Sequence, residues 1–158
     1  MRNILLALLL LPVFGASAQT IPAYNAAELI ASTSSKDSVY IINFWATWCG
    51  PCVQELPEFN KLYHYYQGKP VRILLVSLDF KEDYPGKLTS FVQRKHLEPA
   101  VAWLADTDPN KFIPQIDNSW QGSIPATLVV QPGKGFKKFS EGMITEKKVR
   151  KMVDPLLR

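Results

Sequence analysis

The stretch from Val39 to Pro57 constrains the fold more than any other part of the chain. Val39–Phe44 (VYIINF) is β-branched and apolar at successive residues. A strand with one face in water would alternate with polar residues, so both faces of this one must be covered. It runs almost at once into Cys49-Gly50-Pro51-Cys52, after which Val53, Leu56, Phe59, Tyr63 and Tyr66 recur at helical spacing as far as Gly68. A doubly covered strand that feeds a helix calls for a sheet with helices on both faces.

The rest of the chain fits that plan. Asn25-Ala26-Ala27-Glu28 reads as a capping box that opens a short helix to about Ser32, followed by a polar loop over Thr33–Ser38. Val71–Leu78 (VRILLVSL) is a second buried strand, and Pro85–Lys95 a helix with Leu88, Phe91 and Val92 on one face. Ala100–Leu104 is a short strand and Asn110–Ile116 a turn or two of helix. Ala126–Val130 and Phe136–Ser140 flank Pro132-Gly133-Lys134-Gly135, a hairpin signal. Thr145 caps a last helix that carries Val149, Met152, Val153 and Leu156, and Pro155 ends or kinks it. The fold class is α/β, a central mixed sheet covered on both faces with an antiparallel hairpin at one end.

Residues 1–18 are read separately. Arg2, the apolar run Ile4–Phe14 and Ala16-Ser17-Ala18 form a charged region, a hydrophobic region and a small-residue cleavage site. That is the pattern of a secretory signal peptide, and it predicts cleavage after Ala18 and export to the periplasm or beyond. An uncleaved membrane anchor is the alternative, although the run is short for a span. No cysteine sits near the cleavage site, which argues against a lipid-anchored form. Of 158 residues, removing 18 leaves 140, one domain over 19–158 with the 47% hydrophobic content of a chain that builds its own core.

The sequence has two cysteines, Cys49 and Cys52. They are a structural staple, half a metal site or a redox couple. Export permits a disulfide, but a bridge across so short a loop removes little entropy from the unfolded chain. Chemistry explains the spacing better. Pro51 suits the first turn of a helix, which leaves Cys49 at the helix N-terminus, where unpaired N–H groups and the dipole favour a thiolate. The expected direction is a lowered Cys49 pKa, with Cys52 one turn on, more buried and less ionised. An exposed, ionised sulfur with a partner in bonding reach is what thiol–disulfide exchange requires.

Asn43–Pro57 (NFWATWCGPCVQELP) closely resembles the active-site stretch of the thioredoxin superfamily, in particular its exported TlpA/ResA-type thiol–disulfide oxidoreductases. The resemblance extends from about residue 20 to 158. A second anchor is Gly122-Ser123-Ile124-Pro125-Ala126-Thr127, matching the family's Gly-x-x-Pro-x-Thr. The resemblance implies a thioredoxin-like fold and a cis Ile124–Pro125 bond. It also implies a helix–strand insert, for which Tyr84–Leu104 has the right length and place, and a helix kink at Pro57. Cytoplasmic thioredoxins carry a buried Asp six residues before the first cysteine; here Asn43, which cannot take a proton, stands there. Members of the exported branch have a Glu three residues after the second cysteine, and here that residue is Glu55. Glu55 is therefore the candidate proton acceptor for Cys52, burial raising its pKa; on the competing reading it is an ordinary solvated helix residue.

The activity that this resemblance implies is that of a protein disulfide oxidoreductase with catalytic Cys49, Cys52 and Glu55, and a reversible Cys49–Cys52 disulfide. Trp48, Ile124 and Pro125 would bind substrate, an extended segment pairing with the backbone just before Pro125. Gly-Pro between the cysteines is the pattern of reducing members. The partners implied are disulfide-containing exported proteins, apocytochrome c among them, and a membrane thiol donor of electrons. No cofactor or metal is called for.

Two other functions compete. A peroxiredoxin-like peroxidase would need its cysteine in a different Pro-rich context, with a Thr near it and an Arg to hold peroxide. A copper(I) carrier would use the two soft sulfurs, but related carriers space their cysteines more widely and add a histidine. His64 and His96 share no ligand spacing with the cysteines and read as surface residues. Trp45, Trp103 and Trp120 read as core or cleft-wall aromatics, Trp120 with a place near the Pro125 loop. Asp79 ends a strand near the active-site edge and receives no role. The net charge is +4, with Lys137, Lys138, Lys147, Lys148, Arg150 and Lys151 grouped near the end. These read as a solvated face that also protects a sheet edge, or as a contact for an acidic partner or membrane surface; nucleic acid is not an expected ligand of an exported chain.

Overall fold

The computed structural model describes residues 20–158. The leader and its cleavage site, expected over residues 1–18, lie outside the described residues. Among the described residues, no helix is long and apolar enough to cross a membrane.

The expected core strand is β2 (Val39–Trp45), buried along its whole length. Its odd-numbered residues Ile41 and Trp45 join one apolar cluster and its even-numbered Ile42 and Phe44 the other, as the two-residue period of a strand requires. β2 lies parallel to β3 (Val71–Ser77) on one side and antiparallel to β5 (Ala126–Gln131) on the other. With β1 (Ala23–Tyr24), β4 (Ala100–Leu104) and β6 (Phe136–Glu141), the sheet order is β1-β4-β3-β2-β5-β6. The four strands of the β1–β2 side run parallel, and the β5–β6 hairpin is antiparallel.

Chain direction decides which face each helix covers. The steps β2 to β3 and β3 to β4 move the same way across the sheet, so right-handed crossovers place α2 (Gly50–Tyr65) and α3 (Gly86–Arg94) on one face. The step from β1 to β2 moves the opposite way and puts α1 (Ala26–Ala31) on the other face. There it meets α4 (Pro109–Ile116), and Leu29, Phe112 and Ile116 share a cluster with Phe44 and Trp120. The last helix, α5 (Glu146–Val153), returns to the α2 side, where Val149 and Val153 pack with Leu56, Phe59 and Leu62.

Local signals account for the element ends. Asn25 and Glu28 form the expected capping box, and the Thr145 side chain accepts the Lys148 N–H at the start of α5. α5 stops at Val153, and Asp154–Leu157, with Pro155 inside it, continues as a 3-10 turn. The insert is present as α3 and β4. The basic cluster is less uniformly solvated than its sequence implies. Lys137 reaches the Ile116 carbonyl at 2.7 Å and Asp117 at 3.0 Å, because β6 lies beside the end of α4. The Arg150 guanidinium lies 3.6 Å from the centre of the Tyr65 ring and pairs with Glu146.

Candidate active site

Cys49 is the N-cap of α2 and Gly50-Pro51 its first turn. Cys49 Sγ is bonded to Cys52 Sγ, and the same sulfur accepts the Cys52 N–H at 3.2 Å. The sulfur thus occupies the place where a helix N-cap oxygen normally receives an orphan N–H. Cys52 is fully buried and Cys49, at 7% exposed, is nearly so. The order of the two sulfurs is the expected one, but Cys49 is less open than the exposed sulfur read from the sequence, because in the disulfide it joins the core cluster with Cys52.

The loop that carries Cys49 is held from beneath. Thr47 donates its N–H and hydroxyl to Asp79, whose carboxylate also accepts the Ser77 hydroxyl at 2.6 Å. Asp79 is 4% exposed and stands just past the end of β3, next to the end of β2. Its carbonyl accepts the Trp103 indole N–H. Asp79 is thus a residue of the site that received no role from the sequence. The only signal was its position at a strand end, because its partner Thr47 is 32 residues away.

On the other side stands the segment before β5. The Ile124–Pro125 bond is cis, and the Ile124 carbonyl oxygen lies 3.8 Å from Cys49 Sγ. Ile124 N–H and C=O take no backbone partner among the described residues, while the Pro125 carbonyl is paired with the Gly142 N–H. Glu141 fixes the preceding loop by accepting from the Gln121 and Ser123 N–H groups and the Ser123 hydroxyl. These bonds, the Ser123 hydroxyl first, hold the Glu141 carboxyl below the usual glutamate range.

Beside the sulfurs is a groove of about 470 Å³ whose wall includes Trp48, Phe80, Leu104, Trp120 and Ile124. Trp48 is 54% and Phe80 63% exposed, and their rings stack at 5.8 Å. Phe80 had no distinguishing pattern in the sequence. Trp120 fits both expectations for it, since it is buried against Phe44 and also lines the groove. A hollow of about 520 Å³ lies at the opposite end of the sheet, with Tyr40, Tyr66 and Arg72 in its wall, away from both cysteines.

Beneath the disulfide, Glu55 is 1% exposed, so the solvated reading of this residue is excluded. Its carboxylate accepts the Asn43 amide at 2.7 Å and the Ile144 N–H at 2.8 Å. Burial pushes its pKa up, and the two hydrogen bonds offset part of that shift. Cys52 and Glu55, three residues apart, lie on one face of α2. Among the described residues, no group of three or more metal-capable side chains gathers. His64 lies about four turns down α2 and pairs with Glu98.

Residues 14–135, more than half of the chain, match the AhpC/TSA family. The chain belongs to the AhpC/TSA family. Among related proteins, this AhpC/TSA chain is 29% identical over 117 residues to the thiol–disulfide oxidoreductase ResA of Geobacillus thermodenitrificans, covering 73% of the chain and 61% of that protein. It is 30% identical over 106 residues to ResA of Oceanobacillus iheyensis, covering 66% and 50%. The chain thus spans half to three fifths of the length of these relatives. Among solved structures, the thioredoxin-related protein from Neisseria meningitidis serogroup B aligns with a TM-score of 0.65 at 27% identity, over 77% of this chain and 87% of that one. StoA from Bacillus subtilis aligns at 0.60 with 22% identity, over 76% and 85%, a likeness of fold. The thioredoxin-like fold expected from the resemblance is therefore established.

Proposed function

We propose that the protein is an exported thiol–disulfide oxidoreductase that reduces disulfides of other exported proteins through Cys49 and Cys52, after removal of residues 1–18. The observation that carries this reading is the Cys49–Cys52 disulfide across the first turn of α2, with the unpaired backbone of Ile124 beside it. The ResA relatives are named thiol–disulfide oxidoreductases, which supports the exchange chemistry; the reducing direction rests on the Gly-Pro between the cysteines.

In the reduced protein, the Cys52 N–H and the start of α2 favour negative charge on Cys49. Cys49 thiolate attacks one sulfur of the partner's disulfide. The other sulfur leaves as thiolate and takes a proton, and a mixed disulfide remains. Cys52 gives its proton to Glu55 and attacks Cys49 Sγ, which releases the partner's second sulfur. The partner gains two electrons and the Cys49–Cys52 pair loses two. An extended segment of the partner pairs with Ile124 N–H and C=O as an added strand, with Trp48 and Ile124 as its apolar wall and Pro125 setting the turn. Apocytochrome c fits as one such partner, and a membrane thiol donor restores the dithiol.

The reduction potential, measured against a thiol buffer, tests the direction. A strongly reducing value is expected; one like that of a disulfide donor reverses it. Cys52→Ala should trap partners as mixed disulfides in the exported compartment. The catalytic assignment fails if that variant traps nothing while Cys49→Ala still exchanges disulfides. Peroxide consumption separates this reading from the peroxidase, and copper titration of reduced protein against Cys49→Ala separates it from the carrier.

A further inference from the structure

Three polar side chains from three elements meet beneath the cysteines. Asn43 of β2, Glu55 of α2 and Thr127 of β5 are each at most 1% exposed. Glu55 Oε2 accepts the Ile144 N–H at 2.8 Å, and Oε1 accepts Asn43 Nδ2–H at 2.7 Å. Asn43 Nδ2 also lies 3.2 Å from Thr127 Oγ1 and 3.4 Å from the Ala126 carbonyl. Asn43 Oδ1, by contrast, is buried and has no hydrogen-bond partner among the described residues. Leaving a buried acceptor unpaired costs about 1–3 kcal/mol, so this orphan needs a reason.

The two oxygens of Glu55 differ in what their partners can do. The Ile144 N–H is a backbone donor fixed towards Oε2, and it can never accept. The Asn43 amide can offer either a donor or an acceptor by a half-turn about its last side-chain bond, a torsion with two broad wells. With Nδ2 towards Glu55, the amide suits a carboxylate and Oδ1 is orphaned. With Oδ1 towards Glu55, it suits the protonated acid, can also accept from the Thr127 hydroxyl, and Nδ2 is orphaned. One end lacks a partner in either state, so the proton on Glu55 chooses between them.

We propose that Asn43 is a positioning residue whose side-chain amide turns over as Glu55 gains or loses a proton, donating to the carboxylate and accepting from the acid. The inference rests on the reading of Glu55 as acceptor of the Cys52 proton, and deepens it by assigning the proton to Oε1. In the resolving step the proton leaves Cys52 Sγ for Glu55 Oε1. The sulfur keeps the electron pair with which it attacks Cys49, and Asn43 Oδ1 replaces Nδ2 in front of the acid.

The surroundings suit a proton carrier. Burial raises the Glu55 pKa, the Ile144 and Asn43 bonds lower it, and Glu58 one turn on raises it. Glu58 is itself paired with Lys61 and the Glu146 N–H. From β2 and the loop into α5, Glu55 faces the Asn43 amide and the Ile144 N–H, and from β5 the Thr127 hydroxyl lies against that amide; none of these titrates. Cys52, on its own helix, titrates only when the disulfide is reduced.

The test is nuclear magnetic resonance on the isotopically labelled, oxidised protein. There both cysteines are silent and no disulfide transfer is needed. The Glu55 carboxyl carbon and the Asn43 side-chain amide should titrate with one midpoint. The cross-peak from the Asn43 amide protons to the Thr127 methyl should be lost on the acid side. In Glu55→Gln the Asn43 amide should hold one orientation across the same range. Separate midpoints, or a cross-peak that persists through the Glu55 titration, would overturn the proposal. Asn43→Leu, similar in size but unable to donate or accept, gives a second readout. It should slow disulfide transfer by about tenfold at neutral pH, yet slow Glu55→Gln by no more than about twofold further. Losses that multiply in the double variant would overturn it too. Should the unaltered protein transfer no disulfides, the functional reading alone would fall, because the amide is observed in the oxidised form.

Discussion

At Asp79 three donors converge on one buried carboxylate, and through Thr47 they set where Cys49 begins its helix. Asp79→Asn would turn one acceptor oxygen into a donor facing donors. The expected loss is about 2–3 kcal/mol, the scale of hydrogen bonds to a buried charge, read from urea unfolding. Disulfide transfer should slow without a change in its pH profile, since Asp79 places the sulfur and moves no proton. Glu55 should behave in the opposite way. Its folded pKa is raised above the ordinary 4.5, chiefly by burial. The stability it contributes is therefore full in acid and is lost as pH rises from that value through the folded one. Glu55→Gln, which cannot ionise, should match the parent in acid and exceed its urea midpoint near neutrality, while the resolving step slows by about 10²-fold or more. A variant both sturdier and slower would mark a carboxylate kept for chemistry. The sequence exposed Cys49, Cys52, Glu55 and Pro125 because their spacing is local or belongs to a motif. Asp79 and Phe80 stayed hidden because what they do depends on contacts across strands, with Thr47 and Trp48.

The elements divide along the same line. β2, β3 and α2 declare themselves through long apolar runs and helical spacing, and the box at Asn25 and Glu28 through four consecutive residues. β1 has two residues and no periodicity, and it exists because Ala23 and Tyr24 pair with Trp103 and Leu104. The turn of the β5–β6 hairpin shows how closely elements meet. Gly133 lies so near the loop before β2 that a Cβ there would sit 2.3 Å from the Lys36 carbonyl oxygen. That neighbour is backbone and yields only if the turn shifts. Gly133→Ala should therefore cost about 1–3 kcal/mol, the range for overpacking. At Gly50, the first residue of α2, a Cβ would meet nothing within 4 Å. Gly50→Ala should be neutral or stabilising by up to about 1 kcal/mol. Thermal midpoints of the two variants, compared in the oxidised protein, should fall on opposite sides of the difference.

At the scale of the whole molecule, the disulfide and the fold share one thermodynamic cycle. Oxidised and reduced chains each have an unfolding free energy, and their difference equals the difference in potential between the folded and the unfolded couple. The bridge joins residues three apart, so chain entropy alone makes the oxidised form more stable by about 2 kcal/mol. That is about 40 mV on the two-electron scale, where 30 mV corresponds to 1.4 kcal/mol. One feature of the site acts against this value. A thiolate held at the start of α2, as proposed for Cys49, stabilises the reduced form and makes the couple more oxidising. A reductase requires the entropic gain to prevail. Urea unfolding of the two forms near neutral pH should then leave the oxidised protein the more stable, by up to the entropic amount. A reduced form more stable than the oxidised one would turn the protein into a disulfide donor, and it would do so without any knowledge of its partners.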